Sequence, residues 1–215
     1  GDYVHDPTSQ EQWNEFLRII GGIDQSIRTV VIPGNHDVLD KDGKIDMAPY
    51  TQHLGKDRFA ERIGNTYLIG LNSNFMKNVE QNSLEEQSQF AWLKKTLKKK
   101  HKKDHVIVFL HHPFFLENYG EEEGYSTLSE SIRNKYFSLF DEYGVELVIA
   151  GHLHDNREAN HNGIEMVTTS AAGRQLGTAQ PGIRIIQLRK GNISQQYFTL
   201  DQLPDTRENV IASFK

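Results

Sequence analysis

Residues 145–154 read Val-Glu-Leu-Val-Ile-Ala-Gly-His-Leu-His, a mostly apolar run that ends in a glycine and two histidines. The apolar part is typical of a strand buried on both faces of a sheet. The same arrangement occurs twice more: Val106–Leu110 precedes His111-His112-Pro113, and Thr29–Ile32 precedes Pro33-Gly34-Asn35-His36-Asp37. Because the carboxyl ends of parallel strands meet at one edge of a sheet, the three polar clusters are expected to lie together.

Helical patterns separate these strands. Thr8-Ser9-Gln10-Glu11 has the spacing of a capping box, and apolar residues follow at helical intervals as far as Gly21-Gly22. Two more helices are predicted, from Ser83 through Leu97 and from Thr127 through Tyr143. The remaining strands are predicted at Arg58–Ile63, Thr66–Leu71, Met166–Thr169, Ile183–Leu188 and Ser194–Leu200. Residues 38–57, with Asp42-Gly43 and Pro49, lack a clear period and are predicted to form a loop or an insertion. The sequence therefore predicts an α/β fold in which the alternating tail forms a second sheet, all within one domain over residues 1–215.

The composition limits the possible partners. The chain has 215 residues, 37% of them hydrophobic, and a formal net charge of −5. That charge argues against general binding of nucleic acid, and no apolar run is long enough to span a membrane. There is no cysteine, which excludes thiolate metal sites. We therefore expect neither a nucleic-acid nor a membrane partner, and we expect a monomer.

Two charged runs have more than one interpretation. Residues 94–103 carry seven lysines, which we interpret as a solvated helix end, with binding of phosphate or nucleic acid as the alternative. Glu121-Glu122-Glu123 is interpreted as a solvated loop rather than a metal site. Since this loop follows the His111 strand, it could also favour basic residues that flank a substrate peptide.

The polar clusters contain ligands for divalent metal ions. Carboxylate, amide and imidazole groups suit Mn²⁺, iron or Zn²⁺. His152 and His154 are predicted to lie on an extended segment and to point the same way, and Asp2 could bridge two ions through its two oxygens. Two ions roughly 4 Å apart can share a hydroxide that attacks phosphorus in line. The pattern thus favours metal-assisted hydrolysis of a phosphate ester.

These clusters resemble the calcineurin-like metallophosphoesterase superfamily, whose blocks are D-x-H, GD, GNH(D/E), a single H and GHxH. Four of the five blocks occur within residues 1–154, and Phe115-Leu116-Glu117 and residues 171–177 are similar to its serine/threonine-phosphatase branch. The resemblance implies an α/β/β/α sandwich of two sheets flanked by helices. It implies hydrolysis of phosphomonoesters, with phosphoserine or phosphothreonine in proteins as the expected substrate and small phosphoesters as another. Phosphodiester hydrolysis, on nucleotides or glycerophosphodiesters, and a catalytically impaired binding module are the alternatives.

The resemblance also implies residue roles. Asp2 would bridge two metal ions, Asn35, His111 and His152 would complete one site, and His154 would belong to the other. His36 would contact the phosphate and assist the leaving group, and Asp37 would orient its imidazole. Arg174 could reach the phosphate, although a plain surface arginine is the alternative.

One block of the family pattern has no counterpart in this sequence. The D-x-H block would stand upstream of Gly1 on a first strand, and His5 and Asp6 do not replace it because they follow the second block. Residues 1–215 are therefore expected to hold at most one metal ion tightly, in place of the family's two, and to be weakly active or inactive.

Overall fold

The computed structural model describes residues 1–189 and 191–214. Its helices are α1 (Gln10–Ile20), α2 (Ala48–Leu54), α3 (Asn74–Lys77), α4 (Ser83–Leu97), α5 (Glu130–Tyr143) and α6 (Arg207–Ser213). Its strands are β1 (Leu39–Lys41), β2 (Lys44–Asp46), β3 (Phe59–Ile63), β4 (Thr66–Gly70), β5 (His105–Phe109), β6 (Leu147–Ala150), β7 (Arg157–His161), β8 (Ile164–Thr168), β9 (Gly182–Arg189) and β10 (Asn192–Thr199). Residues Asn35–Asp37 and Leu200–Gln202 form short 3₁₀ turns.

The central sheet has six strands in the order β3-β4-β5-β6-β8-β7. Strands β4, β5, β6 and β8 run parallel, and β3 and β7 pair antiparallel to them at the two edges. The carboxyl ends of β5 and β6 therefore lie side by side, since Val108 pairs with Val148. This register brings His111 next to the Gly151–His154 segment.

Alternate residues of the buried strands face opposite layers. Val106 and Val108 of β5 point to the cluster that contains Leu93 of α4 and Phe137 of α5. Ile107, on the opposite face, packs in a second cluster to which β9 and β10 contribute Ile186 and Ile193. β9 and β10 form their own antiparallel sheet. The predicted α/β architecture with a second sheet packed on the first is confirmed.

A third apolar cluster supports the N-terminal segment. Trp13 of α1, 1% exposed, packs with Val4, Tyr50 and Phe75, and its indole N–H donates to the Pro7 carbonyl at 2.9 Å. Ser9 caps α1 by accepting the Gln12 N–H. The segment that carries Asp2 is therefore attached to the body of the protein through buried contacts.

The prediction of a strand at Thr29–Ile32 is wrong for the described part of the chain. These residues pair in none of the sheets, and Val30 is 40% exposed. The Ile32 N–H donates instead to the Tyr3 hydroxyl at 3.2 Å. An apolar run becomes a strand only where a neighbouring backbone accepts and donates its ladder hydrogen bonds.

The prediction of a loop over residues 38–57 is also wrong. β1 and β2 form a hairpin whose two-residue turn is Asp42-Gly43, both with positive φ, as such turns require. Pro49 lies in the first turn of α2, where its missing N–H has no helical partner to lose. Of the helices in residues 1–189 and 191–214, none has the length and apolarity to cross a bilayer.

Candidate metal centre

Two glycines, Gly1 and Gly34, allow the segment that carries Asp2 to contact the turn that carries Asn35. A Cβ on Gly34 would lie 2.1 Å from the Asp2 Oδ1 atom, and one on Gly1 would lie 2.3 Å from the Gly34 nitrogen. Side chains at either position would push these backbones apart. The close approach allows Asp2 Oδ1 to accept the His36 N–H at 2.9 Å. Glycine, which has no Cβ, permits this close contact between the two backbones.

Three predicted ligands converge on the Nε2 atom of a fourth, His111. It lies 3.1 Å from Asp2 Oδ2, 3.0 Å from Asn35 Oδ1 and 3.1 Å from His152 Nδ1. His111 is buried, and it follows β5, whereas His152 follows β6. The structure therefore brings Asp2, Asn35, His111 and His152 together, as the sequence predicts.

This arrangement fits a divalent cation. One imidazole nitrogen carries at most one proton and can donate only one hydrogen bond, yet three electron-rich atoms surround His111 Nε2. Without a cation their lone pairs would repel one another. His154 supplies a further sign, because its Nδ1 atom is buried and has no hydrogen-bond partner among the described residues. Nitrogen and oxygen donors of this kind suit Mn²⁺, iron or Zn²⁺.

The backbone is strained at three of the predicted ligands. Asp2, His152 and His154 have φ values of 60°, 66° and 54°, in the left-handed region that non-glycine residues rarely adopt. The Leu153 N–H donates to the Gly151 carbonyl at 2.7 Å, which makes His152 the centre of a γ-turn. The prediction that His152 and His154 lie on an extended segment is therefore wrong. Strain of this kind is concentrated at functional sites.

Burial keeps the clustered imidazoles neutral. Desolvation is the largest cause that lowers the pKa of His111 and of His112, and it lowers the pKa of His152 to about 4. The neighbouring His111 lowers the pKa of His152 further, because two adjacent imidazoles cannot both become cations without repulsion. Desolvation raises the pKa of Asp2, but the His111 hydrogen bond and the His36 N–H outweigh it, so the pKa of Asp2 lies below its usual value. Neutral imidazoles beside an ionised carboxylate are the protonation states that a metal ion needs.

Asp37 does not orient the His36 ring. Its carboxylate is fully buried and accepts four backbone N–H groups, from Asp2 and Tyr3 at 2.7 Å, Gly34 at 2.8 Å and Val4 at 3.3 Å. The predicted pairing of Asp37 with His36 is thus wrong, because these four donors occupy the two oxygens. Asp37 instead holds the Asp2 segment against the turn that carries Asn35.

His5 is the residue that contacts the His36 ring. The Nδ1 atom of His36 lies 3.2 Å from the His5 carbonyl, and the two rings stack with centroids 5.0 Å apart. Since a carbonyl only accepts, Nδ1 must carry a proton, which leaves Nε2 as the other reactive atom of the ring. In the sequence, His5 stands out only as a possible substitute for the missing block, and no motif marks this contact with His36.

The second histidine of the His111-His112 pair also belongs to the centre. The ligand atoms of His111, His112 and His152 lie within 4.8 Å of one another. His112 Nδ1 lies 2.9 Å from the Ser73 hydroxyl, which also accepts the His112 N–H at 2.8 Å. His111, which contacts Asp2 and Asn35, remains the better candidate ligand, and Ser73 holds His112 beside it. No sequence signal marked Ser73.

A large cavity opens beside these residues. It has a volume of about 1110 Å³, and its lining includes Asp2, His36, His111, His152 and His154. Arg174 lies in the same lining, on an exposed loop. Gln175 supports that loop by donating to the Ala171 carbonyl. Arg174 therefore lines the same cavity as the candidate metal ligands.

Most of the acidic run Glu121–Glu123 is engaged in hydrogen bonds or an ion pair, although the sequence predicts a solvated loop. Glu121 accepts three backbone N–H groups, from Leu116, Glu117 and Asn118, and Glu123 pairs with Lys77 at 3.2 Å. Glu122 is exposed. Two of the three glutamates therefore hold the loop in shape, and one is left facing solvent.

Comparison with known proteins supports the relation that the motifs indicate. The family model described as calcineurin-like phosphoesterase matches residues 1–156. The chain is 32% identical over 211 residues to a protein of Bos taurus named serine/threonine-protein phosphatase CPPED1, covering 95% of this chain and 67% of that one. It is also 32% identical to the protein of that name in Homo sapiens over 212 residues, with shares of 95% and 68%.

Solved structures show the same fold at low identity. A purple acid phosphatase, PPD1, from yellow lupin (Lupinus luteus) seeds superposes with a TM-score of 0.56 at 18% identity, covering 74% of this chain and 30% of that one. GAP50, described as the anchor in the inner membrane complex of Plasmodium, gives a TM-score of 0.50 at 16% identity, with shares of 66% and 49%. Given the family model and the curated relatives, the chain is a hydrolase that belongs to the calcineurin-like phosphoesterase family.

Proposed function

We propose that this protein is a metal-dependent phosphomonoesterase whose substrates are proteins phosphorylated on serine or threonine. The observation that carries the proposal is the convergence of Asp2, Asn35 and His152 on the Nε2 atom of His111, beside an open cavity. Such a centre suits hydrolysis of a phosphate ester, and the cavity leaves room for more than a phosphate group. The names of the curated relatives support the choice of phosphoprotein as substrate.

We assign the metal ligands by their place in this cluster. Asp2, Asn35, His111 and His152 would hold one ion, and His154 would contribute to a second site together with Asp2. When bound, divalent ions supply Lewis acidity that activates water and neutralises phosphoryl charge. Neutral His111 and His152 offer their lone pairs for this purpose at neutral pH.

His36 and Arg174 act on the substrate from the walls of the cavity. The His5 carbonyl holds the Nδ1–H of His36 and leaves Nε2 free. In the protonated form of the ring, the Nε2–H would give its proton to the leaving oxygen as the phosphorus–oxygen bond breaks. Arg174 offers a planar guanidinium that can bind two phosphoryl oxygens at once. Asp37 contributes indirectly, because its carboxylate fixes the backbone on which Asp2 stands.

The test compares metal binding and turnover in matched variants. Mn²⁺ affinity and stoichiometry are measured by calorimetry on the protein of this sequence, and hydrolysis is measured with a phosphoserine peptide, p-nitrophenyl phosphate and bis(p-nitrophenyl) phosphate. His111→Ala should weaken Mn²⁺ binding at least tenfold and abolish turnover, because it removes the atom on which the other donors converge. His101→Ala is the control and should match the unsubstituted protein. His101 is exposed and precedes the amino-terminal end of β5, whereas the candidate ligands follow the carboxyl ends of the strands.

The outcomes separate the alternatives. About one tightly held ion per chain agrees with the ligands in residues 1–215, whereas two would contradict that expectation. A preference for the diester would replace the proposal with a phosphodiesterase. Tight metal binding without turnover of any ester would point to a binding module.

A further inference from the structure

Tyr125 is a large aromatic residue that is exposed beside the candidate metal centre. It is 80% exposed, yet its ring lies 5.5 Å from that of His152, centroid to centroid, at an interplanar angle of 35°. Tyrosine is enriched at binding interfaces because its ring offers apolar surface and its hydroxyl a polar end, so an open ring next to candidate ligands is suited to an external contact.

Lys77 holds the loop on both sides of Tyr125. Its ammonium group donates to the Gly124 carbonyl at 2.8 Å, to the Thr127 carbonyl at 2.6 Å and to Glu123 Oε1 at 3.2 Å. An ammonium group has three donors, and each has an acceptor here. The Gly124 N–H also donates to the Thr127 hydroxyl at 3.0 Å. The loop that presents Tyr125 is therefore closed by its own hydrogen bonds and by one cation.

Helix α3 connects Lys77, which holds the Tyr125 loop, to the candidate metal centre. Lys77 ends α3, and its N–H donates to the carbonyl of Ser73, whose hydroxyl contacts His112. Tyr125 is thus positioned relative to the histidines from two directions, through its ring contact with His152 and through Lys77. A ring held in place before binding loses little conformational freedom when a partner packs on it.

We propose that Tyr125 is a substrate-contact residue that packs against the peptide segment flanking the phosphorylated side chain, and that Lys77 is the positioning residue that holds it there. This inference rests on the proposed phosphoprotein substrate. One side of the ring faces His152, and its open surface is available to the peptide. Glu122, exposed in the same loop, would lie beside residues that flank the phosphate.

The experiment measures KM and kcat for a phosphoserine peptide and for free phosphoserine, together with Kd for a non-hydrolysable phosphonate form of the peptide, in Mn²⁺. Tyr125→Ala should raise the peptide KM and Kd about tenfold, as expected when one partly buried aromatic contact is lost, and raise the KM of free phosphoserine by less than about threefold. Tyr125→Phe should stay close to the unsubstituted protein, because the ring makes the contact. Ile63→Ala is the control. It truncates an apolar side chain that is 54% exposed and that lies beside the amino-terminal end of β4, away from the candidate metal centre.

Lys77 is tested in a double-mutant cycle. Lys77→Met should raise the peptide Kd severalfold, and adding it to Tyr125→Ala should have little further effect, because Lys77 acts through Tyr125. A peptide Kd that is the same with and without Tyr125 overturns the inference, and additive effects overturn the role of Lys77. Absence of turnover with every ester would refute the proposed function, while the phosphonate Kd would still decide the role of Tyr125.

Discussion

Replacing Asp37 by alanine should destabilise the whole protein rather than only slow its chemistry. The Asp37 carboxylate is fully buried, and three of its four hydrogen bonds are 2.7–2.8 Å long, from Asp2, Tyr3 and Gly34. A hydrogen bond to a charged group contributes about 1.5 kcal/mol at the lower end, so losing these three should cost about 4.5 kcal/mol. That is a large fraction of the roughly 5–15 kcal/mol that stabilises a typical domain.

The assay is urea unfolding followed by tryptophan fluorescence, because Trp13 lies in the cluster next to the Asp2 segment. Asp37→Asn should lose roughly half as much stability, since one amide oxygen can still accept while the NH₂ group faces donors. Asp6→Ala is the matched control, because this carboxylate also accepts two hydrogen bonds, both from Thr8, but is exposed. It should leave the unfolding midpoint nearly unchanged.

The result that refutes this reasoning is an Asp37→Ala protein with normal stability and a lowered kcat. That combination is what an Asp37 carboxylate dedicated to orienting His36 would produce. Mn²⁺ affinity gives a second readout, since the backbone that carries Asp2 is held by the same carboxylate.

Two further predictions follow from the packing and the charges of the centre. In metal-free protein, the free energy of unfolding should decrease as the pH falls from about 6.5 towards 4, because unfolded histidine takes up a proton over this range while folded His152, with a pKa of about 4, does not. The lowered pKa of Asp2 adds a loss of the same sign at lower pH, and urea titrations in EDTA that show greater stability on acidification would contradict both. Gly34→Ala should weaken Mn²⁺ binding at least tenfold, because its Cβ would lie 2.1 Å from Asp2 Oδ1. Gly120→Ala, where no atom lies within 4 Å of the added Cβ, is the control, and equal affinities in calorimetry would show that the close approach is unimportant.

The strands that position the candidate metal centre could be predicted because their sequences alone indicate buried strands. Val106–Leu110 and Val145–Ala150 are apolar enough to require burial on both faces, and both belong to the central sheet. The hairpin at Asp42-Gly43 could have been predicted as well, since that dipeptide is the usual two-residue turn, but its flanking strands are too polar to show alternation. The prediction of a strand at Thr29–Ile32 was wrong for the opposite reason. These residues have the composition of a strand, but pairing also requires a neighbouring strand, which the local sequence does not specify.

The sequence was enough to predict the candidate ligands and to predict that they would lie together, because parallel strands place their carboxyl ends on one side of the sheet. How these residues contact one another could be read only from the folded chain. The Asp37 carboxylate bonds to backbone more than thirty residues away, and Lys77 holds a loop about fifty residues further along the chain. Such contacts depend on the register of the sheet and on the left-handed turns at Asp2 and His152, which arise from the packed fold rather than from local preference.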